Sequence, residues 1–240
     1  MKTHLLTKWL SVARPLAAML ALCGATAANA TLINFDNLAP SSIPAVATST
    51  TTGADMSGMT VQVLFFGNST SETLTWGTTG IGAGGVSGTN WGLTVSGNTF
   101  DVDWVFTNST QSNLLRLVLN GAPGLTLFDT FFGGAFGTSN SSRGIDFDGS
   151  DDASGNDVGG TATYSVPVKL DAATDPLYDL YHVLTVDFGR VGLAGNWTFS
   201  QDTDNDARRT TNGVPEPSIV ALMSLGLLGL GFARRFSRNS

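Results

Sequence analysis

The chain has 240 residues but a single cysteine, Cys23, and only two histidines, His4 and His182, and two glutamates, Glu72 and Glu216. Lysine is nearly as scarce, with Lys169 alone beyond residue 30. Each shortage excludes chemistry. Past Cys23 there is no disulfide, no thiolate nucleophile and no cysteine metal site. His182 has no second imidazole with which to share a metal, and no G-x-S-x-G turn presents a serine for it to activate. Glycoside cleavage needs two carboxylates across the scissile bond. Glu72 has no glutamate partner in the body of the chain, and Asp101 and Asp103 are the alternative pair, on one strand face. The expectation is therefore a protein that is not an enzyme. A helix-rich fold is also excluded, because Glu, Lys and Gln, which fill exposed helix faces, are rare.

The chain is instead rich in Gly, Thr, Ser and Asn, with recurring period-two alternation. In Phe100–Phe106, Phe100, Val102, Trp104 and Phe106 share a face. Leu115–Leu119, Ala162–Val168 and Leu180–Phe188 alternate in the same way, and Val61–Phe66, Glu72–Trp76, Trp91–Val95, Leu125–Phe131 and Trp197–Phe199 are further strands. Gly/Asn/Ser turns separate them. The pattern predicts an antiparallel β-sandwich of roughly eight to ten strands, jelly-roll-like, over residues 31–200. Thr48–Gly58 reads as a flexible polar loop, Gly144–Gly160 as a long acidic loop, and 201–213 as an acidic linker.

Residues 31–214 carry eighteen acidic and six basic residues, a net charge of −12 against −7 for the whole chain. Such a surface argues against nucleic acid and attracts divalent cations. Asp202, Asp204 and Asp206 alternate as at the start of a calcium loop, although Ala207 stands where an EF-hand has glycine and Gly213 where it has its closing glutamate. Asp146 and Asp148, with Asp151, Asp152 and Asp157 close behind, form a second calcium candidate. The plain alternative for both is solvated surface. His182 shares a face with Leu180, Leu184, Val186 and Phe188, which suits a half-buried packing role. Trp76, Trp91, Trp104 and Trp197 would give a sugar-stacking face if exposed, but the strand periodicity of Trp104 and Trp197 points to a core. No cofactor other than calcium is expected.

The two ends carry a different message. Lys2, Lys8 and Arg14 precede an apolar run, Leu16–Cys23, and Ala28-Asn29-Ala30 forms a small-x-small cleavage site. This is the layout of a signal peptide over residues 1–30, handed to the secretion translocon and cut at Ala28/Ala30 to leave Thr31 first. At the other end, Ser218–Ala233 is sixteen residues without a charge. As a helix it spans about 24 Å, extended toward the roughly 30 Å of a bilayer core by snorkelling arginines. Arg234, Arg235 and Arg238 then fall on the cytoplasmic side. Ahead of this run stands Val214-Pro215-Glu216-Pro217, whose two prolines hold the chain extended.

Together, Pro-Glu-Pro, an apolar helix and a terminal arginine cluster over residues 214–240 resemble the PEP-CTERM sorting signal of Gram-negative bacteria. The resemblance implies export, an inner-membrane intermediate anchored by the C-terminal helix, and processing at Pro-Glu-Pro by an exosortase-like enzyme. It further implies display at the cell surface or in the extracellular matrix, with a structural or adhesive role in exopolysaccharide or biofilm. A carbohydrate-binding module is the alternative expectation, and a secreted hydrolase a more distant one.

Overall fold

The computed structural model describes residues 31–48, 50–131, 144–149, 158–170 and 179–208. The expected signal peptide, the centre of the acidic loop and the sorting segment lie outside them. The described residues are mainly β. In chain order the strands are β1 (Leu32–Phe35), β2 (Ser41–Ile43), β3 (Val46–Thr48), β4 (Thr60–Phe65), β5 (Glu72–Thr75), β6 (Gly77–Gly80), β7 (Ala83–Gly88) and β8 (Trp91–Ser96). They continue as β9 (Trp104–Asn108), β10 (Leu114–Asn120), β11 (Thr126–Asp129), β12 (Thr161–Leu170), β13 (Leu180–Asp187), β14 (Trp197–Phe199) and β15 (Asp202–Asp206). Two short 3-10 turns, Gly53–Met56 and Ala122–Gly124, complete the fold. Among the described residues no helix is long and apolar enough to cross a membrane. The expected membrane helix of Ser218–Ala233 falls outside them.

The strands form two sheets. In the larger, β13 is central. Its one edge carries β12, which pairs in parallel with β1 and β2. Its other edge is divided: β10 takes Val183–Asp187 and leads on to β4 and β5, while β11 takes Leu180–Tyr181 and leads on to β15 and β3. The smaller sheet runs β14-β9-β8-β7-β6 and is antiparallel throughout. A jelly roll sends successive strands to opposite sheets. Here β6 to β9 follow one another within one sheet, which corrects the jelly-roll expectation, and the two parallel pairs of β12 depart from a purely antiparallel design.

One core lies between the sheets, built from alternating apolar residues of both. Val61, Val63, Leu117, Leu119, Leu184 and Val186 come from the larger sheet, and Trp91, Leu93, Trp104 and Phe106 from the smaller. A second, smaller cluster of Ile43, Val46, Leu127, Val168, Leu170 and Leu180 lies against the other arm. Through the main core runs a column of rings. Trp91 meets Phe106 at 5.9 Å between centroids, Phe106 meets Trp197 at 5.7 Å, Trp197 meets Phe199 at 4.8 Å, and Trp104 meets both Phe199 and Trp76 at 5.4 Å.

Two expectations change here. The strand expected over Phe100–Phe106 begins only at Trp104, because Asn98–Val102 closes a turn in which the Asp101 and Val102 amides donate to the Asn98 carbonyl. Thr48–Gly58 is not a loop on the surface. Thr51, Gly53 and Met56 are buried, and the Thr52 amide and hydroxyl both donate to the Asp55 carboxylate, at 2.9 and 2.6 Å. This turn is wedged against the smaller sheet, with Trp76 Nε1 donating to the Gly53 carbonyl at 2.8 Å.

The wedge demands glycine on the strand beneath it. A Cβ on Gly84 would lie 2.0 Å from the Gly53 oxygen and 2.4 Å from the Trp76 indole nitrogen. Gly84→Ala is therefore expected to cost about 2–3 kcal/mol through overpacking. Urea denaturation of the wild type and the variant checks it, and an unchanged midpoint would show that turn and strand are not in such contact.

Candidate functional site

The residues with the strongest claim to chemistry were the aspartates of 202–206, and the structure places them where a charged linker is not expected. Asp202-Thr203-Asp204-Asn205-Asp206 is β15, an interior strand between β11 and β3. None of the five is more than 4% exposed. The expected linker of 201–213 thus begins no earlier than Ala207, and the folded body runs past residue 200. Charge alone reads as solvent exposure, but here several of the strand's polar groups find partners in the body. Asn205 Nδ2 donates to Thr51 Oγ1 at 3.1 Å. Thr203 Oγ1 lies 3.0 Å from Thr99 Oγ1. Asp206 accepts the Arg208 amide at 2.8 Å and its guanidinium Nε at 2.7 Å.

A strand does not gather alternate residues about one ion. At about 3.3 Å per residue, Asp202 and Asp206 stand roughly 13 Å apart along the backbone. Among the described residues no group of three His, Cys, Asp or Glu comes together in a metal-holding arrangement. Asp202 is instead a buried acid, opposite the equally buried Asp129 of β11. Its Oδ1 accepts Thr99 Oγ1 at 3.0 Å and the Thr203 amide at 2.8 Å, while its Oδ2 has no hydrogen-bond partner among the described residues. Burial pushes its carboxyl up to about 7, outweighing those two hydrogen bonds, and the nearby Asp101 charge acts in the same direction.

The acidic loop is anchored at both flanks. Phe147 and Val158 are buried in the main core, and Asp148 and Ser200 exchange backbone hydrogen bonds at 2.9 and 3.1 Å. Asp148 is exposed; Asp146 is partly buried, accepts the Phe131 amide at 2.8 Å, and is raised above the ordinary carboxylate range by burial. Asp151, Asp152 and Asp157 lie outside the described residues. Beneath this segment a buried polar hub, missed in the sequence, ties it down. Tyr164 donates to Gln201 and accepts the Phe147 amide, and Gln201 Nε2 donates to the carbonyls of Asp129, Ile145 and Asp202. No local pattern marks Gln201, because its partners come from three distant segments.

The other candidates take structural places. His182 is 6% exposed, with Nδ1 3.3 Å from the Thr126 carbonyl, and burial lowers its pKa. Trp76, Trp91, Trp104 and Trp197 are all buried, none more than 4% exposed, so they present no sugar-stacking face. Glu72 accepts the Trp91 indole N–H at 2.6 Å. Asp101 accepts Asn98 Nδ2 and Asp103 accepts Ser200 Oγ, at 2.9 and 2.7 Å. Both belong to the turn ahead of β9, and a strand face does not pair them. The sorting residues Val214, Pro215, Glu216, Pro217, Arg234, Arg235 and Arg238, and the cleavage residues Ala28 and Ala30, lie outside the described residues.

The buried acid makes a pH prediction. A carboxyl whose folded pKa is raised holds its proton in the folded state where the unfolded chain has lost it. Its contribution is complete below about pH 4 and is lost as pH rises to about 7. Between pH 5 and 7 the wild type is expected to lose about 2–3 kcal/mol relative to Asp202→Asn, at roughly 1.4 kcal/mol per unit. Thermal unfolding of both proteins across this range checks it, and parallel pH profiles would show that Asp202 is not the proton holder.

Comparison with known proteins reaches only the segment beyond this body. The family model of the PEP-CTERM protein-sorting motif matches residues 213–235. The chain thus carries the motif of exosortase-dependent sorting to the cell surface. No curated protein and no solved structure matches the chain.

Proposed function

We propose that this PEP-CTERM protein is delivered by the secretion translocon, held in the inner membrane by its C-terminal helix, cut at Pro-Glu-Pro, and put to structural or adhesive use in the exopolysaccharide matrix. The observation that carries the reading is the sorting motif at residues 213–235, following directly on a folded acidic β body. The role is non-enzymatic. It is supported by the structural engagement of Glu72, Asp103 and His182, the groups that catalysis would require. The competing reading as an aromatic carbohydrate-binding module loses its main support, because the four tryptophans are core. Calcium bridging to an anionic polymer is left to the exposed Asp148, whereas β15 is too deeply buried to reach one.

Two measurements test the proposal. Replacing Pro215, Glu216 and Pro217 with alanine is expected to leave an unprocessed, membrane-bound form in fractionated host cells, with the released form reduced at least about tenfold. Normal release of that variant would remove the processing route. The mature protein recovered from the wild-type host is expected to co-sediment with the host's own exopolysaccharide, and a chelator shows which share of this depends on calcium. A protein that reaches the surface yet leaves the polysaccharide in solution would retain the sorting and refute the matrix role.

A further inference from the structure

The outer face of the larger sheet is set by register. On six adjacent strands, β1, β12, β13, β10, β4 and β5, the residues opposite the core line up across the sheet. One row runs Asn34, Thr163, Thr185, Val118, Gln62, Thr73. A neighbouring row sets Thr161, Asp187, Arg116 and Leu64 side by side. At about 4.8 Å per strand the face is roughly 24 Å wide. Its chemistry differs from that of the body as a whole. Residues 31–214 carry a net charge of −12, yet apart from Lys169 at the far end of β12 the outward positions of these six strands hold only one charged pair, Arg116 and Asp187. These neutralise each other: Arg116 Nη2 and Nε donate to Asp187 Oδ2 at 2.7 and 3.1 Å. The remainder is hydroxyl, amide and aliphatic.

A concavity of about 200 Å³ opens on this face, lined by Gln62, Leu64, Ser69, Ser71, Arg116 and Val118. Asp187 holds the guanidinium in place through one side, leaving Nη1 for another acceptor, and the hydrogen bond from Arg116 lowers the Asp187 pKa. Gln62 donates Nε2 to Thr73 Oγ1 at 3.1 Å, which aligns its amide. Two serine hydroxyls stand beside two half-buried aliphatic side chains, Leu64 and Val118. Fixed donors and acceptors around a small apolar floor match a ring that has C–H faces and hydroxyl edges. A polyanion would meet no net positive charge here.

We propose that the Arg116–Gln62 concavity on the outer face of β4 and β10 binds a neutral, hydroxyl-rich polysaccharide, without calcium and without aromatic stacking. The proposal deepens the matrix reading by naming a ligand class and a site, and rests on it only for the setting in which such a polymer is met. Binding runs along the uncharged rows, which extend past the concavity across β13 and β12. The charge of the rest of the body repels acidic polymers from the same face.

Affinity electrophoresis of the full-length protein in neutral detergent tests this, in gels cast with an α-glucan, a β-glucan, a galactomannan or a polyuronate. Retardation is expected in at least one neutral gel, unchanged by chelator or by added salt. Arg116→Ala and Gln62→Ala are each expected to weaken it about tenfold, as loss of a charge-assisted or well-aligned hydrogen bond implies, while Thr94→Ala on the smaller sheet leaves it unchanged. The site is overturned by no retardation in all three neutral gels, by retardation confined to the polyuronate, or by binding that the two face variants leave intact. Because Arg116 and Thr73 are exposed, a further variant, Thr73→Arg, obstructs the face without touching the core and separates loss of binding from loss of fold. A protein that is still processed and displayed but ignores neutral polymers would refute this site and leave the sorting proposal standing.

Discussion

Everything outside the core follows from what the ring column takes inside. Trp76, Trp91, Trp104 and Trp197 stack with Phe106 and Phe199 through the centre of the body. Each such ring contributes on the order of 3–5 kcal/mol by the cost of its removal. Three of the four indoles also donate hydrogen bonds, to Gly53, to Glu72 and to Gln201, so they fix the 3-10 wedge, the edge strand β5 and the approach to β15. The column lies on the inner side of the smaller sheet and meets the larger one through Phe65 of β4 and Phe188 at the end of β13. In consuming the tryptophans it leaves the outer faces to Thr, Asn, Gln and Ser. The recognition proposed there rests on hydrogen bonds across a strand surface, which needs register and not bulk.

The buried strand β15 is held by the same logic from the other side. A strand of Asp, Thr and Asn gains little from burial itself, and unsatisfied polar groups would cost several kcal/mol. It is stable because Thr51, Thr99 and Arg208 meet its side chains and because β11 and β3 complete its backbone ladder on both edges. Burial pushes the Asp202 carboxyl up to about 7. A polar strand in the interior of a sheet is thus compatible with a folded body only if its neighbours have formed, which makes the last strand dependent on the first ones, β3 and the turn at Thr51.

The sequence carried the apolar strands and concealed the others for identifiable reasons. Val61–Phe66, Leu115–Leu119, Ala162–Val168 and Leu180–Phe188 alternate because one side faces the core, and they emerged as β4, β10, β12 and β13 with small changes at their ends. β7 carries Gly84 where the wedge leaves no room for a side chain, so alternation is absent there. β15 is buried on both faces by polar partners, a situation that charge patterning reads as exposure. The outer-face site was illegible because it depends on register: Arg116 meets Asp187 only through the pairing of β10 with β13, a relation across 71 positions of chain. The sorting motif was legible for the opposite reason, being a linear signal read by another protein.

The position of β15 also bears on how that signal is read. With the body continuing to Arg208, only residues 209–213 separate it from Val214. Seven residues lead from Arg208 to Pro215, and at no more than about 3.6 Å each they reach roughly 25 Å. The body cannot trail far behind the cleavage point. An enzyme acting at Pro-Glu-Pro works within about one domain diameter of the end of β15, where Ala207 bonds to Ala45 and Arg208 caps Asp206. A buried terminal strand so close to the signal also resists being drawn into a processing cleft, since extraction would expose β11 and β3 and break the Asp206–Arg208 pair. The fold therefore sets one boundary of what can be cut: β15, up to Asp206, is closed to a processing cleft.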